Sequence, residues 1–214
     1  MSTVPPLRAD ESAGRPGAGG GTRIGVLGGT FDPVHVGHLV TAVNVRHELA
    51  LDLVLLVVAN DPWQKAGTVS TPASDRLAMV TAAVAGVPGL EPCDLELRRG
   101  GPSYTADTIA ELAVRHPRAE LHLILGSDAA GGLDTWEREE EVRDRVRLVV
   151  VARPGAEAAR PPPGWSHVVV EVPSVEMSST DLRERVADGR PLDWLVPAGA
   201  IEIIRERRLY GAGR

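Results

Sequence analysis

The chain of 214 residues has a single cysteine, Cys93, so no internal disulfide can form and no multi-cysteine metal site exists. That count fits a reducing compartment, and the cytoplasm is the expected location. Aromatic residues make up 3% of the chain against 43% apolar residues in all, so the core must be built mainly from Val, Leu, Ile and Ala. Long apolar runs are missing too: the longest, Leu53 to Ala59, is far below the roughly 20 residues that a bilayer-crossing helix needs. Positive charge is in deficit, 23 basic against 29 acidic residues, and scattered, which argues against a nucleic-acid-binding face. Lysine is almost absent. Lys65 is the one lysine among the 23 basic residues, and it lies in a loop where a ligand is expected. Residues 1–22 are rich in Gly, Pro and Ala without the apolar centre of a signal peptide; they read as a disordered tail before one domain, 23–214.

What is present is concentrated in Arg23 to Leu39, RIGVLGGTFDPVHVGHL. A short apolar strand, Ile24 to Leu27, runs into Gly28 and Gly29, then a turn with Thr30, Phe31, Asp32 and Pro33, then His35 and His38 at the mouth of a helix. Glycines after a strand let backbone N–H groups approach a ligand, and a helix N-terminus favours anions. The stretch reads as a phosphate site with histidines aimed into it.

Downstream, helical spacing over His38 to Leu49 is followed by the aliphatic run Leu53 to Ala59, the pattern of a parallel strand buried on both faces. Further strands are expected at Leu90 to Leu97, Leu121 to Leu125, Leu148 to Ala152 and Val168 to Val172. Helices are expected from Ser74, as N-cap, to about Ala85; from Thr105 to before Pro117; over the charged stretch Thr135 to Arg147; from Ser178 and Ser179; and over Ala198 to Arg207. Strands alternating with helices predict an α/β fold with a doubly wound, Rossmann-like parallel sheet. Ligands of such sheets sit beyond the carboxyl ends of the strands. The notable polar residues fall in the loops at those ends.

Neither GxxxxGK[ST] nor a GxGxxG after the first strand occurs, so P-loop hydrolysis and dinucleotide-dependent redox chemistry both lose ground. His35 and His38 could ligate a metal, but zinc needs a third and usually a fourth group, and no other histidine offers one by spacing. A purely structural role competes as well. The weight falls on phosphate contact, with imidazoles at a helix N-terminus donating to a phosphate whose charge grows in the transition state.

GGTFDPVHVGHL resembles the signature of the HxGH nucleotidyltransferase superfamily. The likeness continues through PWQK at 62–65, SYTADT at 103–108, GSD at 126–128, TW at 135–136, ARPG at 152–155 and MSSTDLRERV at 177–186. Together these resemble the nicotinate-nucleotide adenylyltransferases, in particular their actinobacterial branch. The resemblance implies transfer of AMP from ATP to nicotinic acid mononucleotide, giving nicotinic acid adenine dinucleotide and pyrophosphate in NAD biosynthesis. It implies Mg²⁺ held mainly by the ATP phosphates, with no metal-ligating residues of the protein's own.

Carried over residue by residue, the resemblance places Gly28, Gly29, Thr30, Phe31, Gly126, Asp128, Ser178 and Ser179 around ATP. It makes His35, His38, Lys65 and Arg183 the catalytic phosphate contacts. Lys65, Tyr104, Thr105 and Trp136 would hold the nicotinate nucleotide, the indole stacking on the pyridine ring. Partners would be these small molecules, with neither nucleic acid nor membrane, and a homo-oligomer is left open. Two departures stand out: VANDPWQK lacks the proline usual after the second strand, and GSD replaces the commoner GAD. The alternatives are a sibling transferase with another acceptor, nicotinamide mononucleotide or phosphopantetheine, or a cytidylyl donor, and a nucleotide-binding sensor without turnover.

Overall fold

The computed structural model describes residues 21–62, 71–155 and 159–212. Six strands, β1 (Arg23–Gly29), β2 (Leu53–Val58), β3 (Leu90–Cys93), β4 (Glu120–Gly126), β5 (Val146–Ala152) and β6 (His167–Glu171), form a parallel sheet in the order β3-β2-β1-β4-β5-β6. Unbroken aliphatic runs form the inner strands because both of their faces are covered; in β2, LVLLVV, five of six residues are buried. β6 is the edge, and only Val170 of its five residues is buried.

The helices are α1 (Val36–Glu48), α2 (Ala73–Val84), α3 (Leu95–Arg99), α4 (Thr105–Arg115), α5 (Ser127–Gly131), α6 (Glu139–Arg143), α7 (Ser179–Ala187) and α8 (Ala198–Glu206). One apolar layer joins α1, α2, α7 and α8 to the sheet through Val45, Met79, Leu182 and Ile201. The opposite layer joins α3 to α6 through Leu95, Ile109, Leu112, Ala130 and Val142. Burying side chains such as Ile109 and Leu112 contributes roughly 1.5–3 kcal/mol each, which seats α4 firmly. Gly25 in β1 allows close packing across the sheet: a Cβ there would lie 2.9 Å from side-chain atoms of both Ile124 and Leu51.

Some expected boundaries move. The strand expected over Leu90 to Leu97 stops at Cys93, and Leu95 and Glu96 open the one-turn helix α3. The helix expected over Thr135 to Arg147 is a 3₁₀ turn, Leu133–Thr135, followed by the five-residue α6. Arg138 there adopts φ +54, and the turn it makes separates the two. α2 starts at Ala73 behind Pro72, so Ser74 is inside the helix rather than its cap. Thr22, assigned with the tail, already accepts the Glu120 N–H at 2.9 Å; residues 1–20 lie outside the described part. Among the described residues no helix is long and apolar enough to cross a membrane.

The chain winds outward from β1 to β3, then returns on the other side of β1 to form β4. This switch point opens a crevice between the carboxyl ends of β1 and β4, where an open α/β sheet takes its ligand.

Candidate active site

The turn after β1 is shaped by what its glycines leave out. A Cβ on Gly29 would lie 2.8 Å from the Phe31 ring, so only glycine lets that ring fold beneath the strand end. A Cβ on Gly28 would meet nothing within 4 Å and would point into the crevice. Phe31 is 2% exposed with φ +52, a strained conformation for a bulky residue, and the Asp32–Pro33 peptide is cis. Arg76 of α2, 1% exposed, secures the turn from below. Its guanidinium donates to the carbonyls of Thr30 (2.8 Å), Ala59 (2.7 Å), Asn60 (3.1 Å) and Thr71 (3.1 Å). Burial lowers the Arg76 pKa, with Asp32 opposing.

His35 is the N-cap of α1, and its backbone N–H donates to His38 Nδ1 at 3.1 Å. The two imidazoles stack with centroids 3.6 Å apart at 28°, and the Phe31 ring meets His38 edge-on at 4.9 Å. Gly37 makes room for the pair, since a Cβ there would lie 3.1 Å from His35 Nδ1. His35 is 8% exposed, its Nδ1 is buried without a hydrogen-bond partner, and burial lowers its pKa from 6.5 to about 4. His35 is therefore a neutral ring beneath His38 at physiological pH, and the α1 N-terminus carries no acidic residue in its first turn. An anion meets no carboxylate there on the helix's own first turn.

α7 closes the same turn from the opposite flank. Ser178 caps it, accepting the Asp181 N–H at 3.1 Å as the spacing predicts. Ser179 Oγ donates to the Pro33 carbonyl at 3.2 Å, and Arg183 Nη1 to the Asp32 carbonyl at 2.8 Å.

On the other side of β1 lies a cavity of about 340 Å³, within the range of small-molecule sites. Its walls include Gly28, Gly29 and Thr30 from the turn, Tyr104, Thr105 and Thr108 from α4, Glu96 from α3, and Trp136. Among the described residues no side chain caps α4, and its first-turn N–H groups, which have no intrahelical acceptors, lie at the cavity wall. An ion pair between Arg138 and Asp107, at 2.5 Å, ties the Trp136 segment to the first turn of α4. Ser103 stitches the floor: its Oγ accepts the N–H groups of Asn60 (2.8 Å) and Asp61 (3.2 Å).

The glycine-paired strand end thus borders the cavity, with its indole and the α4 N-terminus, on one side, and on the other leads into the turn where the stacked imidazoles and the Arg183 guanidinium gather. The cytidylyltransferase-like family model matches residues 26–185, from β1 into α7. The probable nicotinate-nucleotide adenylyltransferase of Corynebacterium kroppenstedtii is 42% identical over 191 residues, covering 88% of this chain and 90% of that protein. That of Saccharopolyspora erythraea is 42% identical over 189 residues, covering 88% and 89%. The chain belongs to the cytidylyltransferase-like family, among the nicotinate-nucleotide adenylyltransferases. It is a nucleotidyltransferase. The fold is also that of the Plasmodium falciparum nicotinic acid mononucleotide adenylyltransferase solved with NaAD, at TM-score 0.72 and 17% identity, covering 88% of this chain and 97% of that one.

Within this family frame, the sequence-derived residues fall into three groups. Gly28, Gly29, Thr30, Tyr104, Thr105 and Trp136 line the cavity together. Phe31, His35, His38, Ser179 and Arg183 gather at the adjoining turn, with Ser178 behind them as the exposed cap of α7. Gly126 and Asp128 sit at the end of β4 and in α5, both exposed, and do not line the cavity. Lys65 lies outside the described residues.

The sequence pattern assigned no role to Arg76, Glu96 or Tyr210, and it placed Asp32, Ser103 and Thr108 inside the motifs at 28–38 and 103–108 without a role of their own. Arg76 had a readable signal: it shares the buried stripe of α2 with Met79, Val80 and Ala83, and a charge on an apolar face needs partners. Glu96, 7% exposed, accepts from Thr108 Oγ1 at 2.6 Å, but nothing local in the sequence pairs those two.

Proposed function

We propose that the two sides of this strand end divide the substrates: ATP phosphates over the turn 28–38, and nicotinic acid mononucleotide in the cavity with its ring against Trp136. The chain then joins them as a nicotinate-nucleotide adenylyltransferase. The observation that carries this reading is the shared wall: Gly28 to Thr30 border the cavity, and the same turn leads directly into the stacked histidines. A phosphate anchored from one side and a triphosphate from the other would meet at that strand end.

In the transfer, a phosphate oxygen of the mononucleotide attacks the α-phosphorus of ATP. A new P–O bond forms, the bond to the β-phosphate oxygen breaks, and pyrophosphate leaves. The attacking group is already ionised, so no general base is needed. Catalysis reduces to holding the two phosphates in line and neutralising charge. His38, held by the His35 N–H through Nδ1, turns Nε2 away from the backbone, which suits donation to the α-phosphate. Arg183 and Ser179, already bound to the turn, place a guanidinium and the α7 N-terminus beside the leaving phosphates. Lys65, outside the described residues, would add a point charge to the phosphates. At the other end, first-turn N–H groups of α4 can donate to a ring carboxylate. Asp107 in that turn is paired with Arg138, and with Glu96 and Glu137 on the same cavity wall the choice of nicotinate over nicotinamide falls to those hydrogen bonds rather than to net charge.

A divalent cation suits this reaction, but imidazoles, a guanidinium and backbone N–H groups are donors for phosphate rather than ligands for a hard cation. Among the described residues no group of three or more His, Cys, Asp or Glu could hold a metal. Magnesium would arrive on the ATP phosphates. Catalysis in the cytoplasm is consistent with the single, buried Cys93.

Pyrophosphate release with ATP, Mg²⁺ and each mononucleotide tests the reading. Release with nicotinic acid mononucleotide is expected, and release with neither substrate would overturn it; preference for the amide would overturn only the role of α4. His38→Ala should lower kcat by about 10²-fold while the fold persists, the scale of one lost transition-state donor.

A further inference from the structure

Three residues of the turn, Thr30, Asp32 and Pro33, are held by four hydrogen bonds, to their carbonyls or to a side chain. Arg76 donates to the Thr30 carbonyl, Arg183 to that of Asp32 and Ser179 to that of Pro33. The fourth grip comes from the far end of the chain: Tyr210 Oη donates to Asp32 Oδ1 at 2.6 Å, across 178 residues of sequence. Asp32 is 3% exposed, so its carboxylate depends on such donors. Tyr210 lies in the 3₁₀ turn Leu209–Gly211 at φ +57, and Arg208 just before it has φ +52. Two non-glycine residues in the left-handed region persist only where surrounding contacts over-determine them. Burial and the neighbouring Asp32 push the Tyr210 hydroxyl well above its ordinary pKa, so it remains a donor at any working pH.

We infer that Tyr210 is a positioning residue for the ATP half of the site: through Asp32 it fixes the turn 30–33 so that the opposite edge of the turn presents to the phosphates. The C-terminal segment thereby belongs to the ATP site without touching ATP. The effect falls chiefly on ATP, since of the turn 30–33 only Thr30 also borders the acceptor cavity. Tyr210 packs with the α1, α2, α7 and α8 layer, whereas Tyr104, Thr105 and Trp136 reach the acceptor cavity from α4 and the segment after Leu133 in the opposite layer. This inference rests on the placement of ATP proposed above.

The test is Tyr210→Phe, which removes one oxygen and keeps the ring. Steady-state kinetics are measured with each substrate varied in turn, alongside calorimetric binding of a non-hydrolysable ATP analogue. A hydrogen bond to a charged group predicts about a tenfold rise in the analogue's Kd and in the KM for ATP, with the mononucleotide KM changed by less than about twofold. Equal rises for both substrates, or a lower melting temperature with unaltered kinetics, would overturn the inference by making Tyr210 merely structural. Asp32→Asn keeps an acceptor oxygen and should show a smaller rise, again confined to ATP. Should the Tyr210→Phe protein not fold at the assay temperature, Asp32→Asn carries the same test, and a loss shared by both substrates overturns the inference. His38→Ala separates the two layers of reasoning. If it impairs ATP use and Tyr210→Phe does not, only the role of Tyr210 fails; if neither touches ATP handling, the placement of ATP fails.

Discussion

The buried histidine at the start of α1 makes a quantitative demand on stability. His35 is 8% exposed, stacked on His38 at 3.6 Å, and its pKa falls from 6.5 to about 4 because burial penalises the charged ring. The folded value lies below the unfolded one, so as pH falls the unfolded chain takes up the proton first. The stabilising contribution is therefore complete above about pH 6.5 and is lost progressively down to about pH 4. At 1.36 kcal/mol per unit, the whole interval corresponds to about 3 kcal/mol, and between pH 7.5 and pH 5 about 2 kcal/mol should disappear.

Urea unfolding at those two pH values, on the parent and on His35→Gln, isolates this contribution. Glutamine cannot titrate, so the variant should lose about 2 kcal/mol less than the parent between pH 7.5 and pH 5, whatever its own baseline. His122 is also buried, with its pKa lowered chiefly by burial, but it is present in both proteins and cancels in the difference. Parallel losses in the two proteins would refute the claim that His35 is held neutral by burial.

Two further substitutions probe the frame and the cavity. Arg76→Met should strip donors from the carbonyls of Thr30, Ala59, Asn60 and Thr71 and cost about 4 kcal/mol or more, lowering Tm by roughly 10 °C; a shift of under about 3 °C would show those carbonyls to be satisfied elsewhere. Trp136→Ala should raise the KM for nicotinic acid mononucleotide by about tenfold and leave that for ATP unchanged, and the reverse split would displace the ring from the indole.

The sheet was legible wherever a strand is buried on both faces. β1, β2, β4 and β5 appear as largely aliphatic runs because helices cover both faces of the parallel sheet, with His122 of β4 as a buried polar exception. Expectations failed where local composition and tertiary role diverge. Glu96 looks like a surface residue of a weak strand, yet it is buried against Thr108 on a helical turn. The acidic stretch around Glu139 to Glu141 looks like one long helix, yet Arg138 at φ +54 divides it and leaves Trp136 free to reach the cavity. The histidines, the glycine pair and the Ser178 cap were readable because each acts on residues within about one helical turn of itself.

What remained hidden has a common physical form. A peptide turn has two edges, and only the edge that meets the ligand leaves a compact motif, since its glycines and histidines must be neighbours in sequence. The other edge offers carbonyls and one buried carboxylate, and any donor that the fold brings near can satisfy them. Here those donors are Arg76, Ser179, Arg183 and Tyr210, at 46, 146, 151 and 178 residues from their acceptors at Thr30, Pro33 and Asp32. No spacing rule links such partners. The glycine and histidine edge of the turn is therefore written in one segment, while its rigidity is distributed over α2, α7 and the C-terminal turn. Mutations in those distant elements should then act on the same kinetic quantity, the handling of ATP, as mutations in the motif itself.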